Sequence, residues 1–309
     1  MKMKKVIVTT TINPPTKAIE LYDHLEDWTL VVIGDKKTPE NYHLDNGIYI
    51  SVEQQEQMDK ALSDAIGWNC IQRRNFGLLK ALEMNADIVA VVDDDNIPYS
   101  FWGQNLLLGK PIEAFEYHCK DICFDPVGAA GYATLWHRGF PLRLLASRNY
   151  ENKQKKYIKA DVQADFWDDD PDIDAICRMM YAPQCRFDSD YFPMCSTKIS
   201  PFNSQNTFLT KDVLKYYFLF PFVGRMDDIW ASFYVQSMGF KVVYGKASVY
   251  QQRNEHLLEN DMKQEYLGYE NNHDLLQSIS KDPDSIIQFL PPKAIHAWRC
   301  YQAHIKAYF

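Results

Sequence analysis

The 309-residue chain has no apolar stretch long enough to span a bilayer; the best, residues 216–223, is eight residues interrupted by Pro221. Its seven cysteines (70, 119, 123, 177, 185, 195 and 300) include no C-x-x-C pair. Cys119 and Cys123 have helical spacing, but no matching Cys or His pair lies near enough to suggest a zinc site. An odd, scattered set fits reduced thiols and a cytoplasmic location. The first residues, M-K-M-K-K-V-I-V-T-T-T, offer three apolar residues before the threonines, too few for a secretory h-region, and are expected to form a first strand instead. There is no low-complexity tract and no internal repeat. Basic residues are in the minority, 33 against 41 acidic, for a net charge of −8. That balance argues against a nucleic-acid surface and leaves any anionic ligand to local arginines or a metal. What remains, 46% hydrophobic and 24% charged, is the composition of a globular chain with length for one large or two modest domains.

The first hundred residues alternate strand and helix. Residues 6–10, 29–33, 48–52 and 87–92 read as strands, while 14–24, 54–66 and 70–85 read as helices. This alternation predicts an α/β fold with a mostly parallel sheet covered on both faces. Ligands of such sheets sit beyond the carboxyl ends of the strands, where the polar segments 9–13, 35–38 and 93–96 fall. From 100 to 200 the pattern is irregular, with a basic stretch at 153–159 and six aspartates within 165–174, which predicts loops and short helices inserted over the site. Helix 227–238 and strand 241–244 restore the α/β pattern, and 255–309 reads as helical with Pro291-Pro292 before the last helix. The expected division is a nucleotide-binding catalytic domain at 1–254 and a helical extension at 255–309.

Residues 88–96, I-V-A-V-V-D-D-D-N, run a buried strand straight into three carboxylates. Asp93 and Asp95 are two apart, so an extended backbone projects them to one side, where they repel unless a cation lies between them. Mg²⁺ or Mn²⁺ suits such oxygen ligands and accepts phosphate oxygens as partners. The competing reading is a solvated acidic turn. Upstream, Q-R-R-N-F-G at 72–77 sets Arg73 and Arg74 on a helix; adjacent residues face different directions, so one of the two is expected to reach a phosphate.

Four further strings, H-R-G-F-P-L (137–142), D-P-D-I-D-A-I (170–176), P-F-N-S-Q-N-T (201–207) and R-M-D-D-I-W (225–230), together with D-D-D-N after an apolar strand, resemble those of the STELLO-type glycosyltransferases, in the same order over about residues 5 to 270. A weaker resemblance, through R-G-F-P, F-P-M-C (192–195) and R-M-D-D-I-W, is to the plant reversibly glycosylated polypeptides, which act as UDP-arabinopyranose mutases; the chain departs from them directly after F-P-M-C. Both resemblances imply a GT-A-like fold in which a D-x-D holds Mn²⁺ or Mg²⁺ on a nucleotide-sugar diphosphate. They imply Asp93, Asp95 and a late histidine, His256, as metal ligands, with Asp94 turned toward the ribose or the sheet. The nucleotide side is expected from Thr10, Asn13, Arg73 or Arg74, and Asn75, with Asp35 and Lys37 near the base. The amides of Asn203, Gln205 and Asn206 suit sugar hydroxyls. Arg138 matches the arginine that becomes glycosylated in the mutases; in a transferase it would contact phosphate or sugar. Asp227 and Asp228 either cap the helix that follows them or supply a general base, with Asp228 preferred.

The resulting expectation is a metal-dependent transfer from a nucleotide sugar, UDP-linked by preference, to a glycan or other hydroxyl acceptor. The alternatives are a pyranose/furanose mutase acting at Arg138 and a non-catalytic scaffold. The sequence leaves open the donor sugar, the acceptor and whether the chain forms a homo-oligomer.

Overall fold

A computed structural model describes residues 3–251 and 257–309. The β-branched runs form β1 (Lys5–Thr10), β2 (Thr29–Ile33) and, with the short β3 (Ile48–Ile50), a parallel unit. Helix α1 (Lys17–Asp23) starts where the Thr16 side chain accepts the Ile19 N–H. The helix expected at 54–66 is two, α2 (Val52–Met58) and α3 (Lys60–Ile66), broken at Asp59 because its carboxylate caps α3 at the Leu62 amide. The helix expected at 70–85 opens as a 3₁₀ turn, Ile71–Arg73, before α4 (Arg74–Glu83). Strand β4 (Ile88–Val92) pairs parallel with β1.

Beyond it come β5 (Asn96–Pro98), β6 (Ile112–Tyr117), α5 (Pro126–Ala129), β7 (Lys153–Ile158), β8 (Val162–Asp168), α6 (Ala175–Tyr181), β9 (Met194–Ser196) and β10 (Asn206–Thr210). The chain closes with α7 (Asp227–Ser237), β11 (Val242–Gln251), α8 (Leu258–Ile279) and α9 (Pro292–Ile305). The described strands make one mixed sheet in the order β3-β2-β1-β4-β10-β8-β11-β9-β6-β7, with β5 along β11 and helices on the flanks. The α/β class expected from the alternation is therefore present.

The middle third differs from its expectation. The basic stretch is the outer strand β7, whose lysines leave an edge that resists pairing with other chains, and Lys155 and Lys156 pair with Glu113 and Glu116 on β6. The aspartate-rich stretch opens in a buried strand: Asp165 on β8 accepts from Gln163 Nε2 (2.8 Å) and Ser248 Oγ (2.8 Å). Those two partners allow a carboxyl group inside a sheet, and burial pushes it up to about 7. Strand β11 also runs further than expected, with a register shift against β8 between Gly245 and Val249 that bends its end toward β5.

Side chains of the central strands alternate between two apolar layers. Val6, Val8, Val89 and Val91 face one layer with α4, α7 and α9, while Ile7, Ala90 and Val92 face the other with α1 and Trp102. Strand β10 runs antiparallel to β4, pairing Asn206 with Val92, so residues 203–205 lie beside the aspartates that follow β4. Helix α8 packs on α6 and on the turn at 224–226, and α9 packs on α3.

Gly77 sets how closely α4 approaches β1, since a Cβ there would overlap Val8 Cγ1. Helix propensity alone favours alanine at that position by about 1 kcal/mol, whereas overpacking costs about 1–3 kcal/mol. Gly77→Ala is expected to lower stability in urea denaturation. A double-mutant cycle with Val8→Ala should recover at least ~1 kcal/mol of that loss; no coupling would mean that α4 sits free of the strand.

Candidate active site

The carboxyl end of β4 meets the start of α7 around a cleft of about 500 Å³. It is lined by Asn69 to Gln72, Asp93, Asp95, Arg138, Ser204, Gln205, Phe222, Gly224, Arg225, Asp227, Asp228, Gln251 and Gln264. Its size suits a small-molecule ligand, and its lining is mostly polar.

The three aspartates after β4 take separate directions. Asp93 accepts from Arg74 Nη2 (2.7 Å) and Gln205 Nε2 (2.8 Å). Asp94 turns toward the loop after β1, accepting from Thr11 Oγ1 and Asn13 Nδ2, while its backbone carbonyl accepts from Thr16 Oγ1. Asp95 receives one long bond from Gln251 Nε2 (3.4 Å), and its Oδ1 is buried with no hydrogen-bond partner. Burial, together with the neighbouring charges of Asp93 and Asp94, raises Asp95 to about 7. A buried, unpartnered carboxylate oxygen on a residue that lines the cleft beside a second carboxylate is a donor set that fits a hard divalent cation. Among the described residues the geometric group of acids and histidine is a different one, Asp23, His24 and Asp45. There the Asp23 oxygens already accept the amides of Asp45, Asn46 and Gly47.

On the opposite wall, Arg138 is buried between two carboxylates. Its Nε and Nη2 donate to Asp172 (2.8 and 3.0 Å), its Nη1 and Nη2 donate to Asp228 (2.9 and 3.2 Å), and Nη1 also donates to the Arg225 carbonyl. All five N–H groups are thereby used. Burial alone would lower the Arg138 pKa, but Asp172 and Asp228 outweigh it and hold the guanidinium charged. Burial would likewise raise Asp172, and Arg138 and His137 instead bring it to about 2. Asp228 accepts further from the Ser204 N–H (3.0 Å) and hydroxyl (3.2 Å). Ser204 in turn takes Arg74 Nη1 on its carbonyl (2.7 Å) and hydroxyl (2.8 Å), linking the two walls.

Asp227 is placed differently from Asp228. Gln72 Nε2 donates to its Oδ2 (2.7 Å), and the residue lines the cleft. Burial, then the Asp228 charge, raises it to about 7. Asp228, expected as the base, has both oxygens committed to Arg138 and Ser204, whereas Asp227 has one side-chain donor.

Other expected residues are structural in their contacts. Arg73 is fully buried, 3.6 Å from the Trp68 ring centroid, with donors on Gln55, Ser63 and Gly67; Arg74 is the arginine that faces the aspartates. Asn75 is buried with its amide bonded both ways to the Leu219 backbone. Asn206 is buried against Trp102, Phe166 and Ser248, and Asn203 donates to Asp172. Arg73, Asn75, Asn203 and Asn206 thus commit their polar groups to the protein interior and do not line the cleft, which differs from the expectation that they face a ligand. Asp35 accepts the amides of Lys36, Asn69 and Cys70 and so shapes the loop at the cleft edge; Lys37 is exposed, and Thr10 Oγ1 donates to the Ile33 carbonyl. His256 lies outside the described residues.

The sequence did not single out Gln72, Ser204, Gln251, Phe222, Arg225 or Gln264 as site residues. For Asp172 and Ser204 a signal existed, since both fall within the distinctive strings at 170–176 and 201–207.

No protein-family profile matches the chain. Two curated relatives from Arabidopsis thaliana, the probable glycosyltransferases STELLO2 and STELLO1, are each 22% identical to it, over 187 and 185 residues. These alignments cover 57% and 56% of this chain and 24% of each relative, so the chain spans about a quarter of the length of the curated relatives it matches. Among solved structures, glucosyl-3-phosphoglycerate synthase from Mycobacterium tuberculosis with Mg²⁺ and UDP is 10% identical, at a TM-score of 0.44, covering 88% of this chain and 80% of that one. The mannosyltransferase PcManGT from Pyrobaculum calidifontis with GDP-Man and Mn²⁺ is also 10% identical, at a TM-score of 0.40, covering 99% and 74%. The resemblance to STELLO-type glycosyltransferases read from the motifs is thus also found by direct sequence comparison.

Proposed function

We propose that the chain is a GT-A-like glycosyltransferase that moves a sugar from a nucleotide sugar, UDP-linked by preference, to a hydroxyl acceptor. The observation that carries this reading is the single cleft that holds Asp93 and Asp95 on one wall and Asp227, raised to about 7, on the other. The similarity to the STELLO proteins supports the same class. Asp93 and Asp95 would hold Mn²⁺ or Mg²⁺, which supplies positive charge to a departing diphosphate.

In this reading Arg74 orients Asp93, and Gln72 orients Asp227 with one Asp227 oxygen left for the acceptor. The acceptor O–H breaks as its proton moves to Asp227, and its oxygen bonds the anomeric carbon. The bond from that carbon to the diphosphate oxygen breaks, with the electron pair leaving on phosphate. Arg138 acts as a positioning residue that fixes Asp228 and the 225 turn. No observation favours the mutase alternative, because Arg138 has no uncommitted nitrogen.

The tests fall on Asp95, Asp227 and Arg138. UDP with Mn²⁺ is expected to raise the melting temperature, by an amount equivalent to about 2.7 kcal/mol at a hundred times Kd, and Asp95→Asn should remove most of that shift; no shift with either UDP or GDP would favour the scaffold. Asp227 must be ionised to accept a proton, so turnover should fall about tenfold per pH unit below pH ~7. Asp227→Asn should lower kcat about 10²–10⁴-fold with unchanged UDP affinity, whereas full activity in that variant would reassign the base. Finally, Arg138→Ala should cost about 3–5 kcal/mol in chemical denaturation, because two buried carboxylates lose their counter-charge. Intact mass after incubation with UDP-sugars should show no glycosyl adduct on Arg138; a stoichiometric adduct would restore the mutase reading.

A further inference from the structure

Between β10 and α7, residues 217–220 and Val223 are buried, while Phe222 is 49% exposed and lines the cleft. It is also in the left-handed region, at φ 66°. A bulky side chain there is a genuine outlier, and such strain persists only where the surroundings impose it. Here they do. Asn75 fixes Leu219 from both sides, and the Phe220 N–H donates to the Asp227 carbonyl (3.3 Å). The Met226 N–H donates to the Val223 carbonyl (3.3 Å), and Gly224, at φ 60°, has no room for a Cβ against the Gln264 carbonyl. Arg225 is held through its carbonyl by Arg138 and through its Nε by Glu265 (2.8 Å). The fold therefore uses several anchors to keep one aromatic ring out of the core at the mouth of a polar cleft.

We infer that Phe222 is a stacking platform for a sugar ring, which makes the acceptor of this site a carbohydrate; this rests on the transferase reading above. A pyranose has C–H groups on one face and hydroxyls around its edge. A lone phenyl ring covers the first, and the polar groups of Gln264, Arg225 and Asp227, which line the same cleft, suit the second. A lipid acceptor would call for a continuous apolar wall, and Phe222 and Ile71 are the exposed large apolar side chains among the described lining residues. Lys293 Nζ lies over the ring, 5.7 Å from its centroid, a cationic donor above one face.

The test uses the full chain with UDP and Mn²⁺ on an array of immobilised oligosaccharides, phospholipids and peptides, comparing Phe222→Ala, Phe222→Gly and Phe222→Trp. The expected result is oligosaccharide binding that falls about tenfold in the Ala and Gly variants and is kept by Trp. UDP–Mn²⁺ thermal shifts should be the same in all three. Phe222→Gly should also raise the melting temperature, since glycine relieves the backbone strain, which separates lost binding from lost folding. Oligosaccharide binding that is absent, or equal in Phe222→Ala, overturns the inference, as does Phe222-dependent binding of lipid or peptide. If oligosaccharides bind through Phe222 while no nucleotide binds, the transferase reading fails and the carbohydrate subsite stands.

Discussion

One buried guanidinium organises this molecule. Arg138 sits between Asp172 and Asp228 with every N–H donated, and the two carboxylates belong to segments far apart in the chain. Taking three charges out of water is expensive, and only mutual pairing makes it tolerable. The arrangement converts that expense into position. It sets the start of α7, where burial and the adjacent Asp228 carboxylate raise Asp227, and it fixes the turn that carries Phe222.

The second wall is built on the same logic with a different balance. Arg74 gives Asp93 a partner, the loop after β1 gives Asp94 hydroxyl and amide donors, and Asp95 is left with a bare oxygen. Charge is thus satisfied at two of three positions and withheld at the third. Incomplete satisfaction is uncommon for a buried polar atom, and its place at the edge of a cleft makes it a point where a ligand gains what the fold has left undone.

Much of the first hundred residues was legible because parallel strands buried on both faces read as β-branched runs, and their carboxyl ends could be located from the polar segments that follow. The acidic triplet at 93–95 was visible for the same reason. The choice between Arg73 and Arg74 was not, because the 3₁₀ turn at Ile71–Arg73 sets which of two adjacent side chains faces Trp68 and which faces the aspartates. The stretch 165–174 misled because acidity normally signals solvent, whereas Asp165, Asp172 and Asp174 are buried with partners drawn from distant segments. Asp228 looked equivalent to Asp227 in sequence; only the positions of Arg138 and Ser204 separate them.

The antiparallel insertion of β10 beside β4 has a consequence in time as well as space. The bonds that close the cleft join residues far apart in the chain: 90 positions for Arg138 and Asp228, 112 for Gln205 and Asp93, 130 for Arg74 and Ser204, 155 for Gln72 and Asp227. Closing loops of that length is entropically unfavourable until the sheet already holds their ends together. On the ribosome, the aspartates after β4 emerge long before Gln205 and Asp228 do. The nascent chain therefore carries its acidic triplet without the opposing wall, and a competent cleft exists only after α7 has docked.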